Sequence, residues 1–258
     1  MTYPDPIRLT QTNSTSDVLR QMAAEGEADD DFTSVVAGYQ TNGRGQIGNH
    51  WESEPGQNLL ISTILHPQDL DVAQQFLLSI AATLAVRDTI CSALPDALHP
   101  HVKVKWPNDI YVDDQKISGI LVENQLQGRL ITQSIIGVGI NVNQTNFAYA
   151  PNPTSIKLHT GSDTSLYTLT DNFLQALDTH YHDTQESLLN NFHLNLYRAD
   201  NELHPFADHN GHFQARISHI DPDGRLYLQL ADNTMRSYLF KEVEYIVHTP
   251  CGDIAPNL

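Results

Sequence analysis

The chain has 258 residues, of which 40% are apolar, and its 14 Lys and Arg against 31 Asp and Glu give a formal charge of −17. That length accommodates one large domain and a small one, and the charge opposes a general nucleic-acid or anionic-membrane surface, since both polyanions are repelled. No apolar run approaches a membrane span, the first ten residues form no apolar leader, and the two cysteines, Cys91 and Cys251, lack CxxC spacing, so the expectation is a cytoplasmic protein with free thiols.

In chain order, residues 15–25 place Val18, Leu19, Met22 and Ala23 at helical spacing, with Ser14 or Thr15 as the cap. A β-rich run at 33–40 leads into a glycine-rich segment, and 58–65 (NLLISTIL) reads as a buried strand. Residues 71–90 predict a helix with Val72, Phe76, Leu77, Ile80 and Leu84 on one face. Strands follow at 102–106, 109–112 and 116–123, the last two joined by Asp113-Asp114-Gln115, and another at 130–142 after Gly128. A helical region spans about 169–197. Past a loop near His204-Pro205 only short strands remain, at 212–220, 225–230, 235–240 and 243–247, separated by Asp- and Gly-rich turns. So small a unit is weakly stable alone and is expected to dock on the main domain. Thirteen histidines include no HExxH and no recognisable ligand spacing, so they read as solvated surface groups and no metal site is assigned.

Several segments carry chemical signals. Gly43-Arg44-Gly45-Gln46-Ile47-Gly48 has the letters GxGxxG after a strand, but a dinucleotide-binding turn must open a helix, and here Asn49 to Gly56 lead to another strand. No GxxxxGK[ST] occurs either. Lys105-Trp106-Pro107-Asn108-Asp109 reads by itself as a strand end and a turn. Lys116-Ile117-Ser118-Gly119-Ile120-Leu121-Val122-Glu123 opens a strand with a lysine, and its Gly119 interrupts the strand, as happens where a ligand or backbone approaches closely. Gly137-Val138-Gly139-Ile140-Asn141 repeats that feature and ends in an amide able to read a polar edge. The cations Arg44, Lys103, Lys105 and Lys116 all fall near these motifs, where an anionic ligand of so acidic a protein would have to be held.

Read together with Asn13-Ser14-Thr15-Ser16, Tyr39-Gln40-Thr41-Asn42-Gly43-Arg44-Gly45 and Trp51-Glu52-Ser53, these motifs occur in an order that resembles the biotin–protein ligases. The likeness is close over about residues 8–145 and looser through the terminal strands, where Phe240-Lys241-Glu242-Val243 fits that family's small C-terminal domain. It implies an α+β catalytic domain over 1–204, related to class II aminoacyl-tRNA synthetases, then a small SH3-like β-barrel over 205–248 and a disordered tail over 249–258. It also implies the reaction. Biotin and ATP, with Mg2+, give biotinyl-5'-AMP and pyrophosphate, and a lysine of a biotin carboxyl carrier protein then takes the biotin.

Carried onto this chain, the resemblance gives Ser14, Thr15, Ser16, Gln40, Arg44, Gly45, Gln46, Lys116 and Gly119 to biotin, and Arg44, Trp51, Lys116 and Asn141 to the nucleotide. Lys116, Arg44 and Asp109 are the candidate catalytic residues. Fixed cations are needed where a carboxylate meets an α-phosphate. Asp109 has two readings, a group that orients or deprotonates the incoming amine and a turn aspartate capping local backbone. Gln46 and Asn49 stand where the family often has arginines, and amides hydrogen-bond a phosphate without neutralising it. A lipoate–protein ligase of the same fold lacks support, because its Ser-Gly-Gly-Gly-type loop is missing; a non-catalytic biotin-binding module would not need Lys116. Only about twelve residues precede the first motif, too few for a DNA-binding helix-turn-helix. The expected partner is therefore a carrier domain, with neither DNA nor membrane, and the chain is expected to act as a monomer or homodimer.

Overall fold

The computed structural model describes residues 3–45, 50–150 and 152–247; the expected tail, Gln46 and Asn49 lie outside the described residues. Seven strands form the main sheet: β1 (Ile7–Leu9), β2 (Ser34–Ala37), β3 (Leu59–Leu65), β4 (Val102–Lys105), β5 (Asp109–Val112), β6 (Gln115–Gln127) and β7 (Leu130–Ile140). Their order is β1-β2-β3-β7-β6-β5-β4, antiparallel except for the parallel β1–β2 pair. Five helices accompany it: α1 (Thr15–Ala24), α2 (Phe76–Cys91), α3 (Ile156–Thr160), α4 (Leu166–Tyr181) and α5 (Gln185–Leu194). The single helical region expected at 169–197 is thus two helices, with Thr184 capping the second by accepting the Ser187 N–H at 3.2 Å.

Strand alternation sorts the two faces of the sheet. Leu59, Ile61 and Leu65 of β3, with Ile136, Val138 and Ile140 of β7, face the larger core, which contains α2, α4 and α5. Ile64 and Ile135 face the other way, where Leu19 of α1 meets Val35. The expectation of one apolar face on α2 is too modest. The helix is buried nearly all round, from Phe76 and Leu77 to Thr89 and Ile90, because it lies between the sheet and α4 and α5. Its expected first turn is instead a separate 3-10 turn (Val72–Gln74), capped by Asp71.

One irregularity decides where Lys116 points. Ile110 pairs with Ser118 but Tyr111 pairs with Lys116, leaving Ile117 as an extra residue in β6. In a regular strand Lys116 would share a face with Ile120, which belongs to the core. The bulge buries Ile117 instead and turns Lys116 to the face of Gly119 and Leu121.

The last strands form a second antiparallel sheet: β8 (His204–Asp208), β9 (Gly211–Ile220), β10 (Leu226–Leu230), β11 (Met235–Tyr238) and β12 (Glu244–Tyr245), ordered β11-β10-β9-β8-β12. The loop expected at His204-Pro205 is in fact the start of β8. Pro205 is tolerated there because the chain after β12 needs only its carbonyl, which accepts the Ile246 N–H at 3.1 Å, while Ile246 O takes its donor from Arg198 Nη2 at 3.1 Å. The second sheet does dock on the first: the Trp106 indole N–H donates to Gly224 O at 3.0 Å, and the buried residues of both sheets join one core. Among the described residues no helix is long and apolar enough to cross a membrane, and Cys91 is a buried free thiol.

Candidate functional site

On the α1 face of the main sheet, extending to the second sheet, lies a cavity of about 410 Å³, within the range that holds a small ligand. Ser14, Thr15, Ser16, Gln40, Arg44, Gly45, Trp51, Asp109, Lys116 and Gly119 line it, so segments scattered from 14 to 119 meet in one place.

One end is neutral and polar. Ser14 occupies the N-cap position of α1, yet its hydroxyl caps nothing; the helix end is served by Gln40, whose Oε1 accepts the Thr15 N–H at 2.7 Å and the Thr15 hydroxyl at 3.0 Å. The Thr15 and Ser16 hydroxyls also meet Ser62 Oγ, at 2.7 and 2.9 Å. Ser62 went unnoticed in the sequence, although a serine inside the apolar run NLLISTIL was its signal. Gly137 leaves room for this cluster: a Cβ there would lie 2.8 Å from Ser16 Oγ.

The floor is a pair of glycines. Gly119 and Gly139 are partners across β6 and β7, and the Trp51 indole lies against both; a Cβ at Gly119 would come within 3.1 Å of the ring, and one at Gly139 would enter it. The interrupted strands thus mark a close approach, as their pattern predicts, and in this structure the approaching group is Trp51 itself. The Trp51 Nε1 is buried without a hydrogen-bond partner among the described residues.

The other end is charged. Lys116 Nζ lies 2.8 Å from Asp109 Oδ1 and 5.9 Å from the centre of the Trp51 ring. Lys105, paired with Asp109 in the β4–β5 register, sits over the Tyr111 and Tyr245 rings at 5.0 and 5.4 Å. Burial, the largest influence, holds the Lys105 ammonium below its ordinary pKa. Arg44 closes the rim, with Nη2 on Asp17 Oδ1 at 2.5 Å. Of the Lys105–Asp109 pentapeptide, Asn108 donates its side-chain N–H to Ile120 O, and its backbone O accepts the Ile120 N–H at 3.0 Å, which fixes the strand end beside the cavity. Phe240, Lys241, Val243, Glu244 and Tyr245 supply the remaining wall from the second sheet and its flanking turn, a contribution that sequence reasoning did not assign. Asn141 is placed apart: it is buried, outside the lining, and its Nδ2 donates to Thr154 O at 3.0 Å. Among the described residues no group of three or more His, Cys, Asp or Glu could hold a metal ion.

The sequence model of the biotin/lipoate A/B protein ligase family matches residues 8–141, just over half of the chain. The bifunctional ligase/repressor BirA of Bacillus subtilis is 35% identical over 142 residues, which are 55% of this chain and 40% of that protein. The biotin--[acetyl-CoA-carboxylase] ligase of Mycobacterium tuberculosis is 35% identical over 152 residues, 57% of this chain and 53% of that one. The chain therefore spans roughly half the length of these curated relatives. Among solved structures, the biotin protein ligase from Aquifex aeolicus in complex with biotin and ATP superposes with a TM-score of 0.70 at 23% identity, covering 93% of this chain and 98% of that one. The Leishmania major biotin protein ligase with biotinyl-5-AMP gives 0.64 at 24%, covering 92% and 100%. These likenesses show a shared mixed α+β fold with a C-terminal sheet, and with the matched motifs lining one cavity the chain belongs to the biotin/lipoate A/B protein ligase family.

Proposed function

We propose that the chain is a biotin–protein ligase, which activates biotin with ATP and passes it to a lysine of a biotin carboxyl carrier protein. The observation that carries this reading is the juxtaposition, in one cavity, of a neutral hydroxyl–amide end and a Lys116–Asp109 ion pair, with the Trp51-covered glycine floor between them. The ureido head of biotin, on an apolar body, suits Ser14, Thr15, Ser16 and Gln40; its carboxylate then points toward the cations. The carboxylate oxygen attacks the α-phosphorus of ATP, and the bond to pyrophosphate breaks. Lys116 and Arg44 offset the charge that gathers where two anions meet. In the second half-reaction a neutral carrier amine attacks the acyl carbon, AMP leaves, and Asp109 accepts the amine's proton.

Mg2+ would enter this scheme bound to the nucleotide, as part of the substrate. The finer parts of the reading follow the same resemblance: a catalytic domain over 1–204 related to class II aminoacyl-tRNA synthetases, an SH3-like unit over 205–248, a cytoplasmic setting and Gly45 beside biotin. The test is pyrophosphate release from ATP, measured with biotin, with lipoate and with neither. Release that requires biotin supports the proposal; release that requires lipoate, or tight biotin binding with no release, sinks it.

A further inference from the structure

Next to Trp51, an anion–loop contact plays no part in the chemistry above. Glu52 Oε1 accepts the Ala148 N–H at 2.6 Å, and Oε2 accepts those of Tyr149 and Ala150 at 2.9 and 2.8 Å. Three successive backbone donors converging on one anion make a nest, a shape that otherwise captures a phosphate or carboxylate ligand. Burial raises the Glu52 carboxyl, but the three donors, helped by His50, bring it below the ordinary carboxylate value, so the anion is the settled form.

Both sides of this contact lead back to the cavity. Upstream, the Trp51 N–H donates to Gly43 O at 3.0 Å, and Arg44 bridges to His50 across the same hairpin. Downstream, Asn152 O accepts the Lys116 N–H at 2.9 Å and Lys116 O accepts the Thr154 N–H at 2.8 Å, so this segment backs Lys116. Gln144 adds a parallel strap, its Oε1 accepting the Glu54 N–H at 3.0 Å and Asn58 Nδ2 at 2.5 Å.

We propose that Glu52 is a positioning residue: its carboxylate clamps the hairpin carrying Arg44 and Trp51 onto the segment that backs Lys116, so the groups facing the ligand hold as one unit. The consequence for catalysis rests on the cavity being the adenylate site; the clamp itself does not. A carboxylate suits the task because two oxygens meet three N–H groups with no donor of its own to clash. Glutamine at 52 keeps the size but offers one carbonyl oxygen and turns its amide NH2 toward the remaining donors.

The test uses the whole chain with Glu52→Gln and Glu52→Asp. In ligand-free protein, amide exchange at Ala148–Ala150, Trp51 and Lys116 is expected to quicken about tenfold or more in Glu52→Gln, with the second sheet unchanged. With biotin and ATP, the KM for ATP should rise about tenfold while kcat falls less, and Glu52→Asp should recover part of both effects. Unchanged exchange at Trp51 and Lys116 overturns the clamp, whatever the catalysis. Quickened exchange with an unaltered KM overturns its effect on the ligand. Quickened exchange in a protein whose wild type releases no pyrophosphate with biotin leaves the clamp standing and overturns the adenylate reading.

Discussion

At one end of the cavity Thr15, Ser16, Gln40 and Ser62 satisfy one another through neutral hydrogen bonds of 2.7–3.0 Å; at the other, Lys116 and Arg44 are paired with Asp109 and Asp17. The neutral cluster needs no ligand to be complete, so it is rigid beforehand and selects by shape and hydrogen-bond direction. The cations are balanced by carboxylates that an anionic ligand can displace or share, so that end responds to charge. Under the proposed ligase reading, specificity and reactivity then sit on different chemistry, and mutation should separate them.

The largest expected effect is at the charged end. Lys116→Ala should lower biotin-dependent pyrophosphate release by about 10²–10³-fold, as expected for losing a preorganised charge at a reacting phosphate; near-normal release would remove Lys116 from the chemistry. Asp109→Asn should slow transfer from preformed biotinyl-adenylate by about 10²-fold. Because Asp109 also holds Lys116 at 2.8 Å, a smaller loss in adenylation should accompany it. Equal losses in both half-reactions would assign Asp109 to structure alone.

At the floor, Gly139→Ala forces a methyl group into the Trp51 indole, and overpacking of this kind costs about 1–3 kcal/mol. Displacement of the ring should appear as a shift in Trp51 emission together with weaker ATP binding. A variant that binds and emits as wild type would show that the indole rests there only loosely. The smallest effect belongs to the neutral end. Thr15→Val removes the hydroxyl but leaves the Thr15 N–H to Gln40 contact in place, so biotin affinity measured by calorimetry should fall by about 1 kcal/mol, with the rate of adenylation at saturating biotin retained. A drop in that rate as large as the drop in affinity would dissolve the separation between the two ends.

Most of the site is legible in the sequence because its residues lie in short motifs of unusual composition. Thr15, Gln40 and Lys116 are named only through the resemblance that the order of those motifs carries, while the strand glycines by themselves announce a close approach. What escapes has physical causes. Ser62 sits in a strand buried on both faces, where a serine is as often filler as function. The bulge at Ile117, which turns Lys116 into the cavity, depends on pairing with β5 and leaves no mark in a run that alternates well enough without it. β8 hides behind Pro205, whose cost in a strand depends on what its neighbour requires. The wall formed by Phe240, Glu244 and Tyr245 is tertiary, and no local pattern encodes it.

That wall ties the order of synthesis to the onset of ligand binding. Trp106 waits for Gly224, and the cavity waits for Tyr245, the last of its lining residues to be made. A chain made only through residue 239 lacks the wall that Phe240, Glu244 and Tyr245 give the cavity. A ligand that bridges both sheets binds the finished form and stabilises the two together. Heat or protease applied to the ligand-bound protein should then meet a single cooperative unit that unfolds at a higher temperature than the free protein.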